Sequence, residues 1–369
     1  MQLTSIRLEG YKSISNLELA LQPLNVLIGA NGAGKSNFIS LFRTLNQLVD
    51  MNFQRHVSMS GGADTFLYYG SKQTQKISVF LAFGQNAYEC EWIPTADDSL
   101  VLDREVIYFQ GRGFARPFEQ TIGLAQRETS LHKEAENPRN RIAQHVVSTL
   151  KDWKLYHFHD TSDTAAVKRT GEINDNAYLR PDAANLAAFL FRLRHQSPIH
   201  YQMIRGVVRQ VAPFFDDFLL RPSPLNENKI QLEWNERGSD FPFRAHHLSD
   251  GTLRFICLAT LLLQPNLPSI ILIDEPELGL HPYAISLLAD LFRTASSRSQ
   301  LIVSTQSVPL VNYFEPHDLL IVDRVEVPET RLHSTTIERQ SDDEVQSWLG
   351  EYSLGDLWEK NVLGGRPNK

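Results

Sequence analysis

The chain has 369 residues, 42% of them hydrophobic, and a formal net charge of −7. That is enough apolar material for one large domain or two moderate ones, and the acidic balance means that any nucleic-acid contact must come from a local patch. The two cysteines, Cys90 and Cys257, are too few for a disulfide framework or a Cys-based zinc site. The longest apolar runs fall well short of the roughly 18 residues of a membrane helix, and the opening MQLTSIRLEG lacks the flanks of a signal peptide. A reduced, soluble, cytoplasmic protein without a membrane partner is the expectation.

In chain order, residues 3 to 8 and 17 to 21 pattern as short strands, and LNVLI at 24 to 28 as a buried strand ending at Gly29. Phe38, Ile39, Leu41, Phe42, Leu45 and Leu48 recur at spacings of three and four, which predicts a helix over 35 to 49. Residues 77 to 83 and 88 to 93 pattern as a hairpin. From 94 to 180 the chain is punctuated by stretches such as GRGFARP and HKEAENPRNR, which predict loops between short helices. Spacing from 182 to 220 is helical with a break at Pro198, and 230 to 234 alternates like a strand. Helices are expected at 252 to 263 and 283 to 295, and strands at 269 to 273, 301 to 304 and 319 to 323. This alternation predicts an α/β fold: a mainly parallel sheet with helices on both faces, joined to an antiparallel N-terminal sheet. The expected segments are 1 to 95, an inserted, largely helical 96 to 245, and 246 to 369. No sustained heptad run predicts a long coiled-coil arm.

Gly29-Ala-Asn31-Gly32-Ala33-Gly34-Lys35-Ser36 fits G-x-x-x-x-G-K-[ST] in full, after an apolar strand and before a helix that opens Ser36-Asn37. Backbone N–H groups of such a loop, with the helix N-terminus behind them, cradle phosphate. Lys35 would reach the β- and γ-phosphates of ATP, and Ser36 would offer an oxygen to Mg²⁺. The stretch Ser269-Ile-Ile-Leu-Ile-Asp274-Glu275-Pro276 is an apolar strand ending in two acids. Asp274 is the natural second partner for Mg²⁺, and Glu275 is placed to polarise the attacking water.

Leu248-Ser249-Asp250-Gly251-Thr252 precedes a long apolar helix, and alone it could be no more than a helix cap. Its place one helix ahead of the acidic strand resembles the signature motif of ABC ATPases, which usually reads LSGGQ in transporters. The resemblance implies that Ser249 and Gly251 of one copy cap the γ-phosphate held by another, giving a homodimeric nucleotide sandwich.

Roughly 210 residues separate Gly34 from Leu248, far more than in transporter subunits. The opening SIRLEGYKSISNLELAL and the run Glu275-Pro-Glu-Leu-Gly-Leu-His281-Pro282 resemble the SMC, RecF and OLD-like branch of ABC-type ATPases. The segments LRPDAANLAAFL (179 to 190) and LGDLWEKNVLGGRP (354 to 367) resemble bacterial ATPases of the OLD-like group. By that resemblance the segments at 1 to 95 and 246 to 369 are the two parts of an ATPase head. His281 falls where transporters carry the D-loop aspartate. Gln306, in Thr305-Gln306-Ser307, falls where many relatives have a switch histidine; it can hydrogen-bond a phosphate or water but carries no charge. Relatives of this type often act beside, or are fused to, a Toprim-type nuclease. Only about sixty residues follow Gln306, so a nuclease is expected to be a separate chain.

The resemblance implies an ATPase gating DNA handling or a defence or repair effector. The alternatives are a subunit driving a membrane transporter and a slow, nucleotide-dependent scaffold. Several weaker signals stay open at this level. Lys12 and Ser13 match the hairpin from which such ATPases touch nucleotide, but could equally form a solvated turn. The Q-loop glutamine is one of Gln73, Gln75, Gln85 and Gln110. His157, His159 and Asp160 could meet a metal, though a structural role is favoured without a third spaced ligand. His246 and His247 pattern as loop residues. Arg112, Arg116, Arg139, Arg141, Lys168 and Arg169 give the middle of the chain local positive charge, for which solvated loops are the commoner explanation.

Overall fold

The computed structural model describes residues 2 to 365 except Arg112, Phe114, Ala115, Glu329, Asp343, Glu344 and Gln346. Arg112 and the last two residues of the 354 to 367 segment therefore lie outside the described residues. The chain folds into two compact units: Met1–Lys154 with Glu315–Lys369, and Leu155–Phe314.

The first unit carries a six-stranded antiparallel sheet. Its spatial order is Ile14–Ala20, Ser5–Tyr11, Ile77–Phe83, Asn86–Pro94, Leu100–Phe109 and Phe118–Gln126. The last two strands lie where loops between short helices were expected. The alternation in LVLDREVIYF is hidden by Asp103-Arg104-Glu105, because Glu105 faces inward and is fully buried. It is satisfied there by the Tyr88 hydroxyl (2.6 Å), the Thr129 hydroxyl (2.6 Å) and the Ser130 N–H (2.8 Å). Burial still raises its pKa above the usual carboxylate range. The edge strand FEQTIGLAQ is mostly exposed and has too few apolar residues to show a pattern.

In the same unit the strand Leu24–Ile28 is buried along its whole length and runs parallel to Leu319–Val327, which pairs antiparallel with Leu332–Arg339. Continuous burial on both faces is what an interior parallel strand needs. The helix Lys35–Val49 buries Phe38, Ile39, Leu41, Phe42, Leu45 and Leu48, the stripe its spacing predicts. Phe42 packs against Trp153 at a ring distance of 5.3 Å.

The second unit pairs Ile270–Asp274 in parallel with Gln300–Thr305. Helices Leu186–Gln196, Pro198–Val211, Asp250–Leu263 and Pro282–Ser296 belong to it, as does a small antiparallel sheet of Phe215–Phe218, Glu233–Glu236 and Phe243–Arg244. Pro198 sits at the first position of its helix, where its missing N–H costs nothing. Two local expectations are corrected here. Helical spacing ends at Val211, and Phe215–Phe218 is a strand; residues 230 to 234 are split between two short strands, Lys229–Ile230 and Glu233–Glu236. The compact units divide at 154/155 and 314/315 rather than at 95/96 and 245/246. The strands of 100 to 126 hydrogen-bond onward from Asn86–Pro94 and so belong with the N-terminal segment. Among the described residues no helix is long and apolar enough to cross a membrane. Cys90 and Cys257 are both buried and free, and burial pushes the Cys257 thiol up to about 12.

Candidate functional site

The phosphate loop joins the buried strand Leu24–Ile28 to the helix Lys35–Val49. Gly34 takes φ +117° at the helix N-cap, and Gly32 takes φ +80° with open space where a side chain would be. Asn31, Gly32 and Ser36 are exposed, whereas Ala33 and Lys35 are buried. The Lys35 ammonium donates to the carbonyls of Gly29 and Ala30 (2.5 and 3.1 Å). Gly29 is required by packing, since a Cβ there would lie 2.2 Å from the Val322 carbonyl oxygen.

Three neighbours brace this loop, and no motif announced the part that Thr335 and Gly365 play in it. Thr335, fully buried on the strand Leu332–Arg339, places its hydroxyl 2.7 Å from the Ala33 carbonyl and 2.8 Å from the Ser13 hydroxyl. Asn37, at the start of the helix, donates its amide to the same Ser13 hydroxyl at 2.8 Å. Gly365 accepts from the Ala30 N–H at 2.7 Å and is itself held by Asp323. The Lys12–Ser13 turn is thus tied to the loop through Ser13. Lys12 adopts φ +49°, and its ammonium lies 5.6 Å from the Tyr11 ring centre and 5.5 Å from that of Phe66. Burial, and then the charge of Arg43, lower its pKa.

In the second unit, Asp274 ends the buried strand Ile270–Asp274, and both it and Glu275 are half-exposed. Glu275 has φ +40° and donates its N–H to the Ser304 carbonyl at 2.8 Å. Its carboxylate accepts a hydrogen bond from the Gln306 side-chain amide. The two residues singled out as base and switch are therefore in direct contact.

Ser249 caps the helix Asp250–Leu263, accepting from the Thr252 N–H at 3.2 Å. Gly251 lies against the turn after the acidic strand: a Cβ would sit 2.3 Å from the Gly279 carbonyl oxygen. Asp250, which stands where LSGGQ has its first glycine, lies 3.9 Å from the ammonium of Lys168. That lysine is buried and donates to the Thr161 carbonyl at 2.6 Å, so it leaves the set of solvated loop cations. Arg116, Arg139, Arg141 and Arg169 are exposed as expected.

Residues 24 to 312 match the family model described as "AAA domain, putative AbiEii toxin, Type IV TA system". The chain belongs to this AAA-domain family. Among solved structures, an SMC head bound to the C-winged helix domain of ScpA is similar at a TM-score of 0.56 and 14% identity, covering 94% of this chain and all of that one. The Smc head domain with an extended coiled coil from Pyrococcus furiosus, bound to the C-terminal domain of ScpA, is similar at 0.54 and 13% identity, covering 95% and 98%. Identities this low carry the fold alone, which is that of an SMC head domain. No curated protein matches the chain.

Gln85 and Gln110 are linked through their backbones (2.7 Å) at the end of the antiparallel sheet away from Lys12. Gln73 and Gln75 precede Ile77–Phe83 at the end where Ser78 pairs with Glu9, near the Lys12 turn. The His157 and His159 rings are 6.4 Å apart, and the His159 carbonyl accepts from Arg254. Among the described residues no group of three or more His, Cys, Asp or Glu is arranged to hold a metal. His281 caps the helix Pro282–Ser296 through Nδ1. His246 and His247 are exposed in a short turn.

Proposed function

We propose that this chain binds ATP with Mg²⁺ on the loop Gly29–Ser36 and hydrolyses it, working as a cytoplasmic homodimer. In this reading Asn31, Gly32, Ala33, Gly34 and Asn37 shape the cradle. Lys35 exchanges its two carbonyl partners for phosphate oxygens, and Lys12 approaches the nucleotide from the first hairpin. The exposed hydroxyl of Ser36 and the carboxylate of Asp274 are hard oxygen donors of the kind Mg²⁺ takes. The ion supplies charge neutralisation on the β- and γ-phosphates. Glu275 orients and deprotonates the attacking water, and Gln306 steadies that carboxylate. Ser249 and Gly251 of one copy cap the nucleotide of the other, so ATP closes the dimer and hydrolysis reopens it.

The observation that carries this reading is the Gln306–Glu275 contact at the end of an apolar strand, in a chain that also holds a complete phosphate loop. Closure and reopening would gate DNA handling or a defence or repair effector, including a separate nuclease chain. The family's description in terms of a toxin–antitoxin system supports an effector role in defence. Gln306 carries no charge to offer the γ-phosphate where relatives have a histidine, which favours slow turnover, and a nucleotide-dependent scaffold is the second reading.

The test is steady-state ATP turnover with and without double-stranded DNA across a salt series. Stimulation that fades with salt is expected for a head that touches the phosphate backbone. Turnover indifferent to DNA at every salt would remove DNA from the account and leave a protein effector as the gated partner.

A further inference from the structure

The run Glu275-Pro276-Glu277 contains a second acid that the reaction does not need. Glu277 points inward. Its Oε1 accepts from the Thr305 hydroxyl at 2.6 Å and, at 3.4 Å, from the Gln306 N–H. Its Oε2 is enclosed and has no hydrogen-bond partner. Burial raises its pKa, so the surroundings resist its charge. A carboxyl kept in such a place at a desolvation cost needs a reason.

Its partners supply one. Thr305 is fully buried at the end of Gln300–Thr305, and its hydroxyl needs an acceptor. The Thr305 hydroxyl also accepts from the Ser307 N–H at 2.9 Å, so the acceptor that fixes the hydroxyl fixes the turn 305 to 307. Gln306 sits in the middle of that turn and donates its side-chain amide to Glu275.

We infer that Glu277 is a positioning residue: by holding the Thr305 hydroxyl and the Gln306 N–H, it aims the Gln306 amide at the carboxylate of Glu275. It touches no reacting atom and acts through Gln306. An amide in place of the carboxyl keeps the acceptor and relieves the burial cost, so Glu277→Gln retains the arrangement. Glu277→Ala, or Thr305→Val from the other side, removes it.

This inference rests on the reading of Glu275 as the base, and the experiment separates the two. ATP turnover is measured on the full chain for Glu277→Ala, Glu277→Gln, Thr305→Val, Gln306→Ala and the double variant Glu277→Ala/Gln306→Ala. Glu277→Ala and Thr305→Val are expected to lower kcat about tenfold or more and to leave KM for ATP within about twofold. Glu277→Gln should keep most of kcat, and Glu277→Ala should cost little more once Gln306 is gone. Losses that multiply independently in the double variant, or a Gln variant as slow as Ala, would overturn the inference. Crystal structures of Glu277→Gln and Thr305→Val decide the matter without turnover. The Gln306 amide should stay on Glu275 in the first and leave it in the second; an amide unmoved in Thr305→Val contradicts the role. A wild-type chain with no turnover would sink the reading of Glu275 and leave this structural result standing.

Discussion

Replacing Glu275 with Gln is expected to abolish ATP turnover while leaving ATP bound. The substitution changes one oxygen to an amide nitrogen and nothing in shape, so the strand Ile270–Asp274 and the Glu275 N–H to Ser304 bond survive. The unusual φ of +40° is no worse for Gln than for Glu. What is lost is the group that can take a proton from water, and with it roughly 10²–10⁴-fold in rate. The Gln306 amide would then face a second amide, a weaker pairing than amide to carboxylate. Because ATP is held by residues that do not change, the variant should accumulate as an ATP-bound dimer, read by size-exclusion chromatography with light scattering. A variant that turns over ATP at the wild-type rate removes Glu275 from the chemistry. One that stays monomeric with ATP removes the sandwich.

The second large effect is expected at Gly34. Its φ of +117° is reached readily only by glycine. An added Cβ would also lie 2.1 Å from the Thr335 hydroxyl oxygen, with two further Thr335 atoms under 3 Å. Thr335 cannot step aside cheaply, because its hydroxyl is engaged by Ala33 and Ser13 and its N–H by the Ser13 carbonyl. In Gly34→Ala the loop must move instead, and the N–H groups meant for phosphate move with it. Each hydrogen bond to a charged group contributes about 1.5–3 kcal/mol. Losing two therefore weakens ATP binding about a hundredfold or more. Calorimetric titration with ATP and Mg²⁺ checks this beside a thermal melt. Near-normal affinity in a folded variant would mean that the loop is not the nucleotide cradle.

The strand 24 to 28 and the helix 35 to 49 were legible to the residue, because both are governed by local periodicity and a full phosphate-loop motif. The places of the acids 274 and 275 after an apolar strand, and of Ser249 at the start of a helix, were legible for the same reason: each lies at the end of a regular element. The strands Leu100–Phe109 and Phe118–Gln126 were not. One buries a glutamate that disguises its inner face, and the other is an exposed edge. Thr335, Gly365 and Glu277 were missed because their roles come from what the fold brings to them. Thr335 meets Ala33 and Ser13 from some 300 residues away in sequence, and nothing in HSTTIER announces it. Lys168 looked like one more loop cation, and only its burial against Thr161 and near Asp250 tells it apart.

The most direct test of the central claim is single-turnover phosphate release, with the chain in excess over ATP, in the presence and absence of Mg²⁺. This readout detects hydrolysis even when product leaves slowly. Bound ATP should be converted to ADP and phosphate, and only when Mg²⁺ is present. Bound ATP that is recovered intact with Mg²⁺ present would contradict the claim.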